Sequence, residues 1–282
     1  MTGTDVIETQ HIEHDGQHLV LRVHPNATAS RVAVLLPAMG VPARYYDLFA
    51  AQLVGAGFRV VVADLRGTGE STPPPARAGR YGYAELAGDV DSVLRHVAER
   101  DPGPAPLLIG HSLGCHVAAL HLAHHDARAA GLVMIATGVP YHRCYPGVRG
   151  AGVRVSALLI RGIGAVLGYW PGDRLGFGGR QARGVMRDWA HLVRTGALPD
   201  LGGANTEAAL AAVKTPVLAV SVAGDIHTPP ATMDHLCDKF SAAPMTRHHY
   251  TADETGTAMD HFRWSRVAGP LTDRIRAFAA TL

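Results

Sequence analysis

The sequence predicts an α/β architecture, a mostly parallel sheet with helices on both faces, and three observations carry that expectation. Short, nearly continuous apolar runs recur at residues 31–36, 58–63, 131–136 and 217–222, the pattern of strands buried on both faces. Segments of helical pattern alternate with these runs, which implies parallel strands joined by crossover helices. The third observation is a serine between two glycines, Gly110-His111-Ser112-Leu113-Gly114, set directly after the apolar residues 106–109.

In chain order, residues 6–12 and 19–23 flank the turn dipeptide Asp15-Gly16 and predict an opening hairpin. Arg31-Val32-Ala33-Val34-Leu35-Leu36 is a strand stopped by Pro37, and residues 44–54 a helix stopped by Gly55 and Gly57. Phe58-Arg59-Val60-Val61-Val62-Ala63 is the next strand, followed by a loop rich in glycine and proline over 64–82. A helix over 83–100, a strand over 107–109, a helix after Ser112 and a strand over 131–136 continue the alternation. From about Tyr141 to Val213 the rhythm breaks, with weak helical periodicity, and we read this stretch as an inserted helical cap. The expected division is therefore a core domain in two parts, 1–140 and 214–282, around a cap at 141–213. The sheet resumes at 217–222 and ends with a helix over 230–240, a strand over 245–250 and a closing helix over 265–280.

Composition bounds the function. The chain has 282 residues, 47% of them apolar, with a formal net charge of +2 and lysine only at Lys214 and Lys239, which points to neither a nucleic-acid nor a membrane partner. Cys115, Cys144 and Cys237 are odd in number and show no C-x-x-C spacing, so no disulfide framework or cysteine metal site is expected. The polar stretch 1–17 lacks the basic start and apolar core of a secretory signal. Residues 153–170, interrupted by Arg154, Arg161 and several glycines, read as too short and too charged for a membrane span. A cytoplasmic location is the expectation, and no cofactor is called for. His121, His124 and His125 stand at helical spacing but lack the glutamate of a zinc-protease helix; a surface helix accounts for them without a metal.

The serine segment reads as a nucleophile elbow, a tight strand-to-helix turn that exposes a hydroxyl where a histidine can take its proton. A plain glycine turn has the same five residues; the strand before and helix after distinguish it. An activated serine needs a base and an acid to orient the base, in chain order Ser, acid, His. Asp225, in Ala223-Gly224-Asp225, follows a late strand, beyond whose carboxyl end chemistry gathers in such sheets. His261 lies in the loop before the last helix. His248 and His249 compete with it but fall within a strand. The oxyanion of an acyl intermediate needs two backbone N–H donors, which nominates Met39 and Leu113.

Taken together, Leu35 to Gly40, Val62 to Ser71, Gly110 to Gly114, Gly224-Asp225 with Pro229-Pro230, and His261-Phe262 resemble the α/β-hydrolase superfamily over nearly the whole chain. Within it they are similar to predicted esterases related to monoacylglycerol lipases. The resemblance implies an α/β-hydrolase fold and an architectural rather than catalytic role for Asp64 and Arg66. Pro37-Ala38 stands where many members have His-Gly, Cys115 where a second glycine is common, and Asp260 where a glycine often precedes the base.

The leading expectation is a serine hydrolase that cleaves a carboxylic ester through an acyl-enzyme: Ser112 attacks, His261 carries the proton, Asp225 orients it, and Met39 and Leu113 hold the oxyanion. A thioesterase or acyltransferase acting on an acyl thioester is the alternative, and a non-catalytic small-ligand-binding protein the third. Tyr169, Trp170, Phe177 and Trp189 are expected to wall an acyl pocket. Nine cap arginines against Asp173, Asp188, Asp200 and Glu207 make the cap basic, with Arg180, Arg183 and Arg187 placed at its mouth to meet an anionic substrate.

Overall fold

The structure is a computed structural model that describes residues 6–282. Residues 1–5, on which the expected absence of a secretory signal partly rests, lie outside the described residues. Strands β1 (Glu8–His14) and β2 (Gln17–His24) pair antiparallel. Asp15 and Gly16 both take positive φ between them, as a two-residue type I′ turn requires.

There follow β3 (Arg31–Leu36), α1 (Asp47–Gly55), β4 (Phe58–Ala63), α2 (Tyr83–Arg100), β5 (Leu107–His111), α3 (Leu113–His124) and β6 (Gly131–Ile135). The chain then leaves the sheet through α4 (Val148–Leu167), β7 (Tyr169–Pro171), α5 (Gly172–Leu175), β8 (Arg180–Ala182), α6 (Arg183–Thr195) and α7 (Thr206–Ala212). It returns as β9 (Val217–Val222), α8 (Pro230–Cys237), β10 (Met245–Tyr250), α9 (Ala252–Thr255) and α10 (Gly269–Ala279). The main sheet runs β1-β2-β4-β3-β5-β6-β9-β10. From β4 to β10 every pairing is parallel, and β2 joins antiparallel.

Alternation along each strand divides the core into two layers. Val32, Val34 and Leu36 of β3 face the cluster that contains Leu86, Val90 and Leu94 of α2 and Val117 of α3. Ala33 and Leu35 face the opposite cluster, with Phe49 and Leu53 of α1 and Leu271 and Ile275 of α10. The polar loop after β4 is pinned from within. Asp64 accepts the N–H groups of Ala43 (2.6 Å) and Glu70 (3.2 Å), and Arg66 grips Asp89 through two hydrogen bonds of 2.8 and 2.5 Å.

Three local readings are corrected. Residues 148–167 form one continuous helix, long and apolar enough by length and composition to cross a membrane. It starts before the stretch considered, and its glycines do not interrupt it. α3 is not a surface helix: Leu113 to His121 are buried, and His121 Nε2 pairs with the Ala127 carbonyl at 2.8 Å. The closing helix begins at Gly269, after a separate helical turn over Arg263–Arg266.

Candidate active site

Ser112 stands between β5 and α3 at φ 53° and ψ −115°, a left-handed conformation that is strained for a side chain with a Cβ. The flanking glycines make that turn possible. A Cβ at Gly110 would lie 2.7 Å from the Cys115 nitrogen, and one at Gly114 would lie 2.1 Å from the Leu36 carbonyl oxygen. The turn is tied down by the Ser112 N–H on the Ile135 carbonyl (3.2 Å) and by the Thr137 hydroxyl on the Ser112 carbonyl (2.9 Å).

Asp225 follows β9 and serves two purposes. Its Oδ1 accepts the N–H groups of His227 and Thr228 at 2.8 and 3.0 Å, closing the turn. Its Oδ2 accepts the Thr228 hydroxyl at 2.5 Å and pairs with His261 Nδ1 at 2.7 Å. Burial alone would raise this carboxyl, but the His261 hydrogen bond and charge, with the Thr228 donors, bring it down to about 2. An ionised carboxylate can only accept, so the His261 proton sits on Nδ1 and Nε2 is left as the basic nitrogen. The preceding Asp260 accepts the N–H groups of Phe262 and Arg263, each at 2.8 Å, and so closes the turn that a glycine would otherwise ease. His248 pairs with Glu254 at 3.1 Å and His249 with the Ser221 hydroxyl at 2.9 Å, both away from Ser112.

Ser112 and His261 line one cavity of ≈ 320 Å³, together with Ala38, Met39 and Leu113. Leu113 is the first residue of α3, so its N–H has no acceptor within the helix. Among the described residues neither that N–H nor the one of Met39 is donated elsewhere. The loop bearing Met39 is fixed by residues that sequence reasoning missed. The Tyr46 hydroxyl accepts the Ala38 N–H at 2.9 Å and shares a 2.7 Å hydrogen bond with His111 Nδ1. The His111 ring lies 5.0 Å from that of His261 and 5.2 Å from that of Trp264. Burial, and the neighbouring His261, hold the His111 imidazole well below its usual range and hence neutral. No local pattern marks Tyr46; only the fold brings it under the elbow. Tyr46→Phe leaves the buried Ala38 N–H without an acceptor, and thermal or urea unfolding is expected to show a loss of about 1–3 kcal/mol.

Of the four cap aromatics, two line the cavity and two do not. Phe177 and Trp189 line the cavity with ring centroids 5.1 Å apart. Tyr169 and Trp170 do not line it: Trp170 is buried and donates its indole N–H to the Phe177 carbonyl at 2.8 Å, and Tyr169 lies under the Arg180 guanidinium at 4.8 Å. Both rings belong to the hairpin of β7 and β8, and of the two it is Trp170 that holds Phe177. The arginine reading is also corrected. Arg180, Arg183 and Arg187 do not line the cavity, and Arg149 is its one charged side chain. Tyr145, His227, Ile226 and Phe262, not foreseen, also line it.

Residues 27–252 match the family described as serine aminopeptidase, S33, and the chain belongs to this family of α/β-hydrolases. It is a hydrolase. A putative carbamate hydrolase, RutD, of Variovorax paradoxus (strain S110) is 34% identical over 116 residues, 41% of each chain. The match thus spans under half of that relative's length. Among solved structures, a membrane phospholipase A described as a bacterial virulence factor superposes with TM-score 0.68 at 16% identity, covering 99% of this chain and 87% of that one. A thermophilic esterase from Thermogutta terrifontis superposes with TM-score 0.64 at 18% identity, covering 97% and 98%. At such identities the structural likeness establishes the fold.

Proposed function

We propose that the protein is a serine hydrolase that cleaves carboxylic esters of small apolar acyl groups through an acyl-enzyme. The observation that carries this reading is the single cavity shared by Ser112 in its strained turn, by His261 already oriented by Asp225, and by the undonated N–H groups of Met39 and Leu113. In the proposed cycle Ser112 Oγ attacks the ester carbonyl as its proton passes to His261 Nε2, and the carbonyl oxygen takes its charge between Met39 and Leu113. His261 then protonates the leaving alcohol, and water, deprotonated by the same nitrogen, releases the acid.

The ester is favoured over an aminopeptidase substrate by what lines the cavity. An aminopeptidase must hold an α-ammonium group, yet no aspartate or glutamate lines this cavity, and its single charge, Arg149, is positive. The Phe177 and Trp189 rings suit an acyl chain, in keeping with the monoacylglycerol lipase-like branch. Of the nine cap arginines on which the thioester alternative rests, Arg149 alone lines the cavity.

Incubation with a fluorophosphonate and mass mapping of the adduct tests the reading; modification at Ser112 is expected, and modification of another serine or of none refutes it. Trp189→Ala is expected to raise KM for a hexanoyl p-nitrophenyl ester several-fold while changing that for the acetyl ester little, since one or two methylenes in an apolar pocket are worth about 1–3 kcal/mol. The triple substitution of Arg180, Arg183 and Arg187 by Gln is expected to leave kcat/KM for neutral esters and coenzyme A thioesters alike unchanged at low salt.

A further inference from the structure

α4 is apolar on the wrong side. Val153, Ala157, Ile160 and Gly164 face inward, and the helix packs along α6, as an amphipathic helix should. Turning 100° per residue, the opposite line carries Val148, Val155, Leu159 and Val166. These are 92%, 55%, 62% and 73% exposed. No charged residue falls on that crest, and α4 contains no acidic residue at all. Six of the eleven exposed large apolar side chains among the described residues sit on this one helix, which marks it as a surface made to be covered.

The flanks say by what. On one side of the crest Arg154 and Arg161 of α4, with Arg187 and Arg194 of α6, surround a second cavity of ≈ 270 Å³. Its single carboxylate, Asp188, is already taken by Arg187 at 2.8 Å and by the Tyr83 N–H at 2.9 Å. Among the described residues Arg154, Arg161 and Arg194 make no ion pair. On the other side Arg149, Val153 and Ser156 border the Ser112 cavity, whose rim also carries the exposed Ile226 and Phe262.

We propose that the crest of α4 docks on the surface of a bilayer containing anionic phospholipid, its valines and leucines entering the acyl boundary and the arginine cavity receiving headgroup phosphates. A helix packed along one side by α6 lies in such an interface rather than crossing it. A second copy of the chain is the poorer occupant. It would set one arginine flank against another, and residues 141–213 hold nine arginines to four acidic residues. An anionic leaflet supplies the missing counter-charge. The mouth of the Ser112 cavity then borders the lipid. This surface is inferred independently of the reaction proposed for Ser112.

The test is co-sedimentation of the full chain with vesicles of phosphatidylcholine alone and of phosphatidylcholine mixed with phosphatidylglycerol, at low and high salt. Binding to the mixed vesicles, weakened by salt, is expected. The pair Val155→Asp and Leu159→Asp, both exposed and outside the catalytic cavity, is expected to weaken it about tenfold or more with an unchanged melting curve, and Arg154→Gln with Arg161→Gln to remove most of the salt dependence. The proposal is overturned if the parent chain fails to sediment with the mixed vesicles, or if the aspartate pair binds as the parent does. It is equally overturned if sedimentation equilibrium shows a dimer that the aspartate pair abolishes while no vesicles are bound, since the crest is then an interface between copies. Binding to the mixed vesicles that ignores salt and both arginines overturns the headgroup site.

Discussion

Ser112→Ala is expected to lower turnover of short p-nitrophenyl esters by about 10⁴-fold or more while leaving the fold intact, because the substitution removes the bond-forming oxygen itself. Burst and steady-state kinetics measure the loss, and the melting curve checks the fold. The curve is expected to stay close to the parent's. Ser112 Oγ makes no hydrogen bond among the described residues, and the turn is held instead by the Ser112 backbone groups, by Thr137 and by the two close glycine approaches. A residual rate within tenfold of the parent would place the nucleophile elsewhere. A large loss of stability would instead show that the hydroxyl, and not merely the backbone, holds the turn.

What could be read from the sequence follows the physics of each signal. Strands β3, β4, β5, β6 and β9 were legible because burial on both faces demands unbroken apolar runs, whatever surrounds them. Gly110 and Gly114 were legible because close backbone approach excludes every other residue at those two places. α4 was obscured by the feature that makes it unusual. With both its inner and outer faces apolar, it lacks the single stripe by which a helix announces itself. Tyr169 and Trp170 have the residue types of a cavity wall, but which side of a hairpin faces a cavity depends on contacts such as that of the Trp170 indole with the Phe177 carbonyl. The same holds for the arginines, whose charge is local to the sequence and whose placement is not. Tyr46, His111 and Ala38 lie up to 73 residues apart in the chain yet meet under the elbow.

His261→Ala is expected to cost about as much as loss of Ser112, since members of such a triad act as a unit, and Asp225→Asn somewhat less, about 10⁴-fold or below. The Asp225 effect has a structural cause. An asparagine that presents its amide to His261 Nδ1 favours the opposite tautomer and places the proton on Nε2, where the hydroxyl proton of Ser112 has to go. The pH dependence of stability separates this electrostatic role from packing. In the folded protein the Asp225 carboxyl is depressed from 3.8 to about 2, so its contribution is fully present above its ordinary range and is lost as pH falls through about 2. One such shift corresponds to on the order of 2 kcal/mol. Denaturation of the parent and of Asp225→Asn, followed from neutral pH downward, is therefore expected to show a stability gap that closes as the medium becomes acid. A gap that stays constant with pH would mean that neither His261 nor the Thr228 donors stabilise the ionised Asp225 carboxylate in the folded protein, and that the side chain contributes equally in both protonation states.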